Sequence, residues 1–484
     1  MNTHAPMMRK LASTPRRTAS ARPRGLPWLM AVELVSSLVG FAVIVHWARR
    51  LGPPAFAHVE YATAVAGWLL VVVRGGIELI VYREAARRPR LVHPLTRILL
   101  GLKCVCALAG YGLVLAMALL VGGDRGWIVA VAGLILWPSA LVADVGPRAS
   151  GRLGWIAFAQ ALRSLGYVAL GLTLVSRPKD AWLAAACGTV AEAIGWLVPF
   201  GLHVREYGVP WPRYGRRAWA VLAHRGAIAS LTRFGRVSLY GADLLVLGWW
   251  AGAELGPYAA ARRVVFALVA IGLVVPGAVA PAIAKAWLAG ASRAGQVITE
   301  ASAGLCALSL PAALGLVITS SRWMPACFGP GYRAGAPWLA LVAMRLPSLL
   351  SNSLSQTALV ACRRETDALR LVAGMLVLSA AIVPASAATF GPWGVGIAAI
   401  LIEVAGASGG WLLLHRRGAA PAWDRPHAAA LLGCVVMTAT CLALWSWPLV
   451  PLCTIGAVSY GLTFAICLRW PIRREPLTAG GVDR

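Results

Sequence analysis

The chain has 484 residues, of which 59% are hydrophobic and 13% charged, with a mean hydropathy of +0.71. So much apolar surface needs lipid as its solvent, which excludes a string of soluble domains despite the length. A formal charge of +27 would suggest nucleic-acid binding in a soluble chain, so what matters is where the cations sit relative to the apolar runs.

Residues 1–27 carry Arg9, Lys10, Arg16, Arg17, Arg22 and Arg24 ahead of the first apolar run. That run is of span length and ends in His46-Trp47-Ala48-Arg49-Arg50 with no clean A-x-A-type cleavage site. An uncleaved signal anchor behind a basic tail is therefore expected. Apolar stretches of about 20 residues then recur near 28–47, 59–82, 95–121, 127–144, 155–176, 182–204, 226–250, 259–284, 297–320, 335–361, 368–389, 394–415, 428–448 and 450–468. They predict an all-α polytopic membrane protein with about 14 transmembrane helices. Pro448 and Pro451 leave the last pair readable as a tight hairpin or as one re-entrant stretch. The longest interruption, 205–225, is too short for a soluble domain.

With the N-terminus inside, 29 Lys/Arg fall on inside segments and 7 on outside loops. This is the positive-inside asymmetry, and an even number of spans places both termini in the cytoplasm. Most of the +27 is thus topology, and no nucleic-acid partner is expected. The ten cysteines show no CxxC and no metal spacing, so they read as small buried hydrophobes.

A weak repeat links Leu51-Gly52-Pro53-Pro54 through Ala62 with Gly252 through Ala260, about 200 residues on. It suggests a cytoplasmic tail over 1–27, an N-lobe over 28–225 (spans one to six), a C-lobe over 226–415 (spans seven to twelve), and two extra spans with a cytoplasmic tail over 416–484. Transporters commonly place the substrate path between such repeats.

The most informative residues are charges inside the spans: Arg74, Arg97, Lys103, Arg163, Arg233, Arg236, Arg262, Arg263 and Arg345, with Glu33, Glu78, Glu192, Asp243 and Glu403. Each costs about 2.5–3.5 kcal/mol at mid-bilayer on insertion scales, so by default it faces a wet path or a partner. Arg97 lies near its span end, where it can snorkel. Arg74 and Glu78, four apart, are placed to pair on one helical face. Arg233, Arg236, Tyr240 and Asp243 make one polar stripe down the seventh span. At about 1.5 Å per residue, Glu33, Glu78, Arg74 and Arg233 lie roughly 7, 6, 12 and 10 Å from the cytoplasmic ends of their spans. If spans one, two and seven adjoin, these four form a polar ring. The excess of cations over anions in the buried set favours an anionic ligand, ideally a phosphate bound by arginine forks. No P-loop, G-x-S-x-G, HExxH or Asp-rich metal motif is present, so neither an enzyme nor a cofactor is expected.

The stretch "ARRLGPPAFAHVEYATAVAGWLLVVVRGGIELIVYREAAR" resembles the opening of Wzx-type polysaccharide-export flippases, members of the multidrug/oligosaccharidyl-lipid/polysaccharide (MOP) exporter superfamily. Ala57 stands where that pattern usually has Gly, and Arg83-Glu84-Ala85-Ala86-Arg87 matches its end. "YGADLLVLGWWAGAELGPYAAARRV" is similar to the family's middle motif, with Asp243, Gly256, Tyr258, Ala260 and Arg262 in register. "CFGPGYRAGAPWLALVA" and "FGPWGVGIAAILIE" supply two further matches, so the resemblance runs over about 28–415. It implies a MATE-like bundle of two six-helix lobes, a cavity lined by spans one, two, seven and eight, and rocking alternating access. It also implies a cargo of undecaprenyl-diphosphate-linked oligosaccharide whose lipid tail stays in the bilayer.

The expected function is therefore an inner-membrane flippase for O-antigen, capsule or exopolysaccharide assembly. Arg74, Arg233 and Arg236 would bind the diphosphate, with Arg262 and Arg263 at the outer mouth. Glu33, Glu78 and Asp243 would pair with these arginines in one state and release them in another, with H⁺ or Na⁺ as coupling ion. Membrane lipids, a polysaccharide polymerase and a chain-length regulator are the expected partners. A MATE-like drug antiporter, a lipid II flippase and a membrane polysaccharide polymerase or ligase are the alternatives. The last needs a large outer catalytic loop, and the outer loops here are short.

Overall fold

An apolar helix crosses about 30 Å of hydrocarbon in about 20 residues, so longer runs must turn back. The computed structural model describes residues 26–250, 252–419 and 421–469. Its helices are α1 (Leu26–Val73), α2 (Ile77–Arg87), α3 (Val92–Val121), α4 (Gly123–Gly133), α5 (Leu136–Ala140), α6 (Val145–Ala149), α7 (Leu153–Leu174), α8 (Ala181–Tyr207), α9 (Arg216–Trp250), α10 (Leu255–Gly272), α11 (Val274–Ala289), α12 (Ala291–Phe328), α13 (Ala336–Ala361), α14 (Glu365–His415), α15 (Arg425–Ala443) and α16 (Leu449–Arg469). No strand occurs among the described residues. The basic N-terminal tail, up to residue 25, and the C-terminal tail from 470 lie outside them.

Helix α1 breaks at Gly52 (φ 75°, ψ 168°), directly before Pro53 and Pro54. Side chains other than glycine's are strained there, and proline suits the first turn of the helix that follows. Helix α14 uses the same device at Gly391 (φ 60°, ψ −149°) before Pro392. Among the described residues, ten helical stretches are long and apolar enough to cross a membrane, and two of them, Ala31–Arg87 and Glu365–His415, contain these breaks and supply two limbs each. Helix α9, which carries Arg233, Arg236 and Asp243, and the interrupted stretch α4–α5 fall outside the ten. The fourteen apolar runs map onto these helices and limbs.

The helices form a two-lobe bundle. In the first lobe α1 packs against α3, α4, α7 and α8; in the second α9 lies along α14, and α13 packs between α12 and α14. The lobes meet at the Gly52 end. Gly256 lets α10 sit on the Pro53 carbonyl. Tyr332 Oη donates to the Ala48 carbonyl (3.0 Å), and Arg49 donates to the carbonyls of Cys327 (2.6 Å) and Ala326 (2.5 Å). Arg125 crosses the same boundary, donating to the Gly248 carbonyl at 2.6 Å with its guanidinium 4.6 Å from the centre of the Tyr61 ring. A continuous apolar core including Trp47, Phe56, Tyr61, Leu136, Leu247, Tyr258 and Leu346 runs through both lobes. The outside is apolar as well: Leu119 (83% exposed), Phe390 (74%) and Val450 (73%) point outward, as a lipid-facing surface requires.

The two alternatives for the last apolar pair resolve into a hairpin. Helices α15 and α16 are each of membrane-crossing length and pack on one another and on α12. Asp424 and His427 cap the start of α15 reciprocally. Tyr460 donates to the Ala307 carbonyl (2.8 Å), which fastens the hairpin to α12.

Candidate functional site

Helix α1 ends at Val73, the next N–H, that of Arg74, still reaches the Leu70 carbonyl, and α2 restarts with Glu78 N–H on the Gly75 carbonyl. Gly75-Gly76 is the seam. A Cβ on Gly76 would fall 2.8 Å from the Ala229 carbonyl carbon and the Ser230 nitrogen, so the bare glycine lets α9 close on the seam. One turn beyond Ala229, α9 presents Arg233. Gly195 plays the same part between α7 and α8: a Cβ there would lie 2.9 Å from Arg163 Cβ, and this approach brings Arg163 to Glu192.

These close approaches surround a cavity of about 350 Å³ lined by Arg74, Lys103, Arg148, Arg163 and Arg233 and by the carboxylates Glu78, Asp144 and Glu192. Glu192 accepts from Arg74 through Oε1 and from Arg163 through Oε2, the latter at 3.1 Å. Arg74 also donates to Ser139 Oγ at 3.2 Å. Lys103 pairs with Glu78, and Arg148 with Asp144 at 2.5 Å, where Tyr82 Oη also donates to Asp144 (2.9 Å). Burial disfavours the Arg148 charge, but Asp144 outweighs it and raises the pKa above the ordinary guanidinium value. Two pairs are thus self-neutralising. The surplus positive charge comes from two arginines sharing one carboxylate, and from Arg233, which has no ion-pair partner among the described residues.

Of the span charges singled out in the sequence, Arg74, Glu78, Lys103, Arg163, Glu192 and Arg233 share this cavity, and three of them, Arg74, Glu78 and Arg233, belong to the expected ring of four. The pairing differs from the expected one: the seam at Gly75-Gly76 interrupts the helical face, so Arg74 turns to Glu192 and Glu78 to Lys103. Glu33 is exposed and is not part of the cavity wall, so the ring of four reduces to three.

The polar stripe on α9 divides. Arg236 donates to Ser353 Oγ (3.1 Å) and Tyr240 Oη (3.5 Å). Asp243 is 2% exposed rather than on a wet face. It binds Arg345 (3.0 Å), Arg262 (3.4 Å) and the Tyr258 hydroxyl (2.8 Å). Arg345 continues to Glu403 (3.0 Å), which also accepts from Asn352 (2.7 Å). Arg262 further donates to the Tyr240 carbonyl and stacks 4.1 Å from the Phe266 ring centre. Arg263 pairs with Glu60 (2.7 Å) across the lobes.

Lys103, Arg163 and Glu192 carry a sequence signal, a charge within an apolar run, but nothing local tells which carboxylate serves which cation. Asp144 and Arg148 lie where the fourth run gives way to a loop and read there as topology charges. Glu60, one residue inside its run, gives no signal; its 2% exposure is created by packing.

The family described as polysaccharide biosynthesis protein matches residues 24–287, more than half of the chain. No curated protein sequence matches it. Among solved structures, the fold is similar to that of the lipid II flippase MurJ in an inward closed conformation, with a TM-score of 0.73 and 11% identity over 91% of this chain and 98% of that one. An inward-facing multidrug resistance MATE family transporter of the MOP superfamily gives a TM-score of 0.60 and 13% identity over 80% and 98%. The Vibrio cholerae MATE transporter VcmN, as a mutant, gives 0.55 and 16% over 80% and 94%. At such identities the likeness establishes the fold alone; the multi-pass membrane character rests on the ten long apolar stretches among the described residues.

Proposed function

Because the chain belongs to the polysaccharide biosynthesis protein family, we propose that it is a flippase carrying an undecaprenyl-diphosphate-linked oligosaccharide across the bacterial inner membrane, for O-antigen, capsule or exopolysaccharide assembly. The observation that carries this reading is Arg233. It is a cation without an ion-pair partner among the described residues, it lies on the first helix of the second lobe, and it lines the same cavity as the Arg74–Glu192–Arg163 cluster of the first. A diphosphate there would be held by guanidinium forks from both lobes, and its arrival would draw the lobes together. That is a differential interaction of the kind a ligand needs in order to shift a conformational equilibrium.

The cavity is at the small end of ligand pockets, which run from about 300 to 1,000 Å³, so it suits the charged headgroup, and the glycan requires the space between the lobes to widen. In this reading the lobes span 28–225 and 226–415, and 416–484 is an addition. Both termini are cytoplasmic, the cavity opens to the cytoplasm, and the Gly52 end is the closed outer face. Arg236, Arg262 and Arg263 would reach cargo only after leaving their present partners, as Glu78 and Asp243 would with H⁺ or Na⁺ as coupling ion. A polymerase and a chain-length regulator would act on the delivered glycan. The fold is shared with a multidrug transporter, but a cavity with more cations than carboxylates disfavours cationic drugs.

The test is deletion of the gene followed by restoration with wild type or Arg233→Ala. Lipid-linked glycan should accumulate on the cytoplasmic leaflet in the deletion strain, clear with wild type and persist with Arg233→Ala at equal protein level. Unchanged lipid-linked glycan on deletion would overturn the reading.

A further inference from the structure

Glu192 has an unusual position for a buried carboxylate. Its side chain is 6% exposed and lies between two guanidiniums from different elements, Arg74 just after α1 and Arg163 on α7, each taken by a separate carboxylate oxygen. A planar anion with one oxygen on each of two arginine forks is the geometry in which a phosphate is held. Two cations for one carboxylate leave the cluster with surplus positive charge. The wall beside it is open cavity rather than packed side chains.

We propose that Glu192 is a stand-in anion: it occupies the oxyanion site of Arg74 and Arg163 while the cavity is empty, and incoming phosphate displaces it and leaves it protonated. This deepens the reading given above and rests on that cavity being an anion site. When phosphate oxygens take both guanidiniums, Glu192 keeps its burial but loses its countercharges. A buried carboxylate without a partner escapes the desolvation cost by neutralising. The proton comes from the acid form of the buffer or hydronium in bulk solution, whose bond to hydrogen breaks as one O–H bond forms on a Glu192 carboxylate oxygen, so the conjugate base stays in solution and no other covalent bond changes.

The remaining charges that face the cluster do not offer Glu192 a substitute. Lys103 is held by Glu78, and Arg148 by Asp144. Arg233, from α9, is the cation of the wall with no ion-pair partner among the described residues and is engaged by the same incoming phosphate. Binding is therefore linked to the uptake of about one proton, and affinity falls as pH rises through the range in which the empty protein is ionised at Glu192 and the loaded protein is not.

The test is calorimetric titration of the purified full-length protein with geranyl-diphospho-N-acetylglucosamine, a diphosphate diester whose own phosphates do not titrate between pH 5 and 9. Repeating it in buffers of different ionisation enthalpy counts the protons. Wild type should take up about one proton per ligand and bind up to about tenfold more weakly for each unit rise in pH. Glu192→Gln should bind at least tenfold tighter at pH 8, with no proton uptake and a flat pH profile. Binding by wild type with no proton uptake overturns the proposal, whether or not the variant folds. So does Glu192→Gln binding no tighter than wild type. Absence of any binding removes the anion site and the flippase reading with it. Proton-linked binding in a protein whose deletion leaves lipid-linked glycan unchanged would retain this inference and sink only the flippase reading.

Discussion

Glu60 and Arg263, 203 residues apart in the chain, are joined at 2.7 Å from α1 to α10, with the Glu60 side chain 3% exposed. The pair sits where the lobes touch at the Gly52 end, beside the Arg125–Gly248 and Tyr332–Ala48 contacts. Removing one partner of a buried ion pair costs about 3–5 kcal/mol. Here the cost falls on the closed arrangement of this end, because the contact ceases to exist when the lobes part.

Arg263→Gln is therefore expected to enrich conformers open at the Gly52 end. Spin labels at exposed Asp124 and Glu254, in a background with the native cysteines replaced, should show a longer-distance population in the variant. The double variant Glu60→Gln/Arg263→Gln should largely revert, since neither side is then left charged. An unaltered distance distribution in Arg263→Gln would mean that the pair does not hold the lobes.

The Asp243–Arg345–Glu403 cluster calls for a stability measurement. Asp243, Arg345 and Glu403 are 2%, 3% and 1% exposed and tie α9, α13 and α14 together. Arg345→Met strands Glu403, whereas Asp243 keeps Arg262 at 3.4 Å. Thermal unfolding in detergent should show a loss of about 3–5 kcal/mol, and adding Glu403→Gln should recover much of it. A single variant as stable as wild type would show that the cluster contributes little.

The span pattern was legible because hydropathy over about 20 residues depends on composition alone. The turns at Gly52 and Gly391 were legible too, since each Gly is followed by proline. The partners were not. Arg74 and Glu78 have the spacing of a helical pair, and only the Gly75-Gly76 seam undoes it. Arg74 with Glu192 and Glu60 with Arg263 join residues more than a hundred positions apart, and no local rule relates them. Asp243 reads as one step of a wet stripe because helical spacing tells which residues share a face, not whether that face meets water or a neighbouring helix.

The break in α1 can itself be tested. Gly52 combines φ 75° with ψ 168°, a region essentially restricted to glycine and costing other residues about 1–3 kcal/mol. A Cβ there would meet nothing within 4 Å, so a loss from Gly52→Ala is backbone strain without a steric clash. Gly40→Ala, in the same helix with equally open surroundings and no positive φ, should instead be neutral or slightly stabilising. Equal melting temperatures for the two variants would contradict the assignment.

The seam at Gly76 makes the sharpest prediction for the site, because it changes anion binding without touching a charge. The atoms that a Gly76 Cβ would meet at 2.8 Å are backbone atoms of Ala229 and Ser230, which cannot rotate away. Gly76→Ala must therefore push α9 off α2 at a cost of about 1–3 kcal/mol, and Arg233 moves with α9. Gly75→Ala is the matched control: its nearest neighbours would be 3.6–3.7 Å away, ordinary contact. Titration with the same short-chain diphosphate diester should show weakening in Gly76→Ala that approaches that of Arg233→Ala, about tenfold for each 1.4 kcal/mol lost, and none in Gly75→Ala. If Gly76→Ala binds as wild type does while Arg233→Ala does not, Arg233 reaches the anion without the close approach of α9 to the seam, and the proposed route from glycine to charge is wrong.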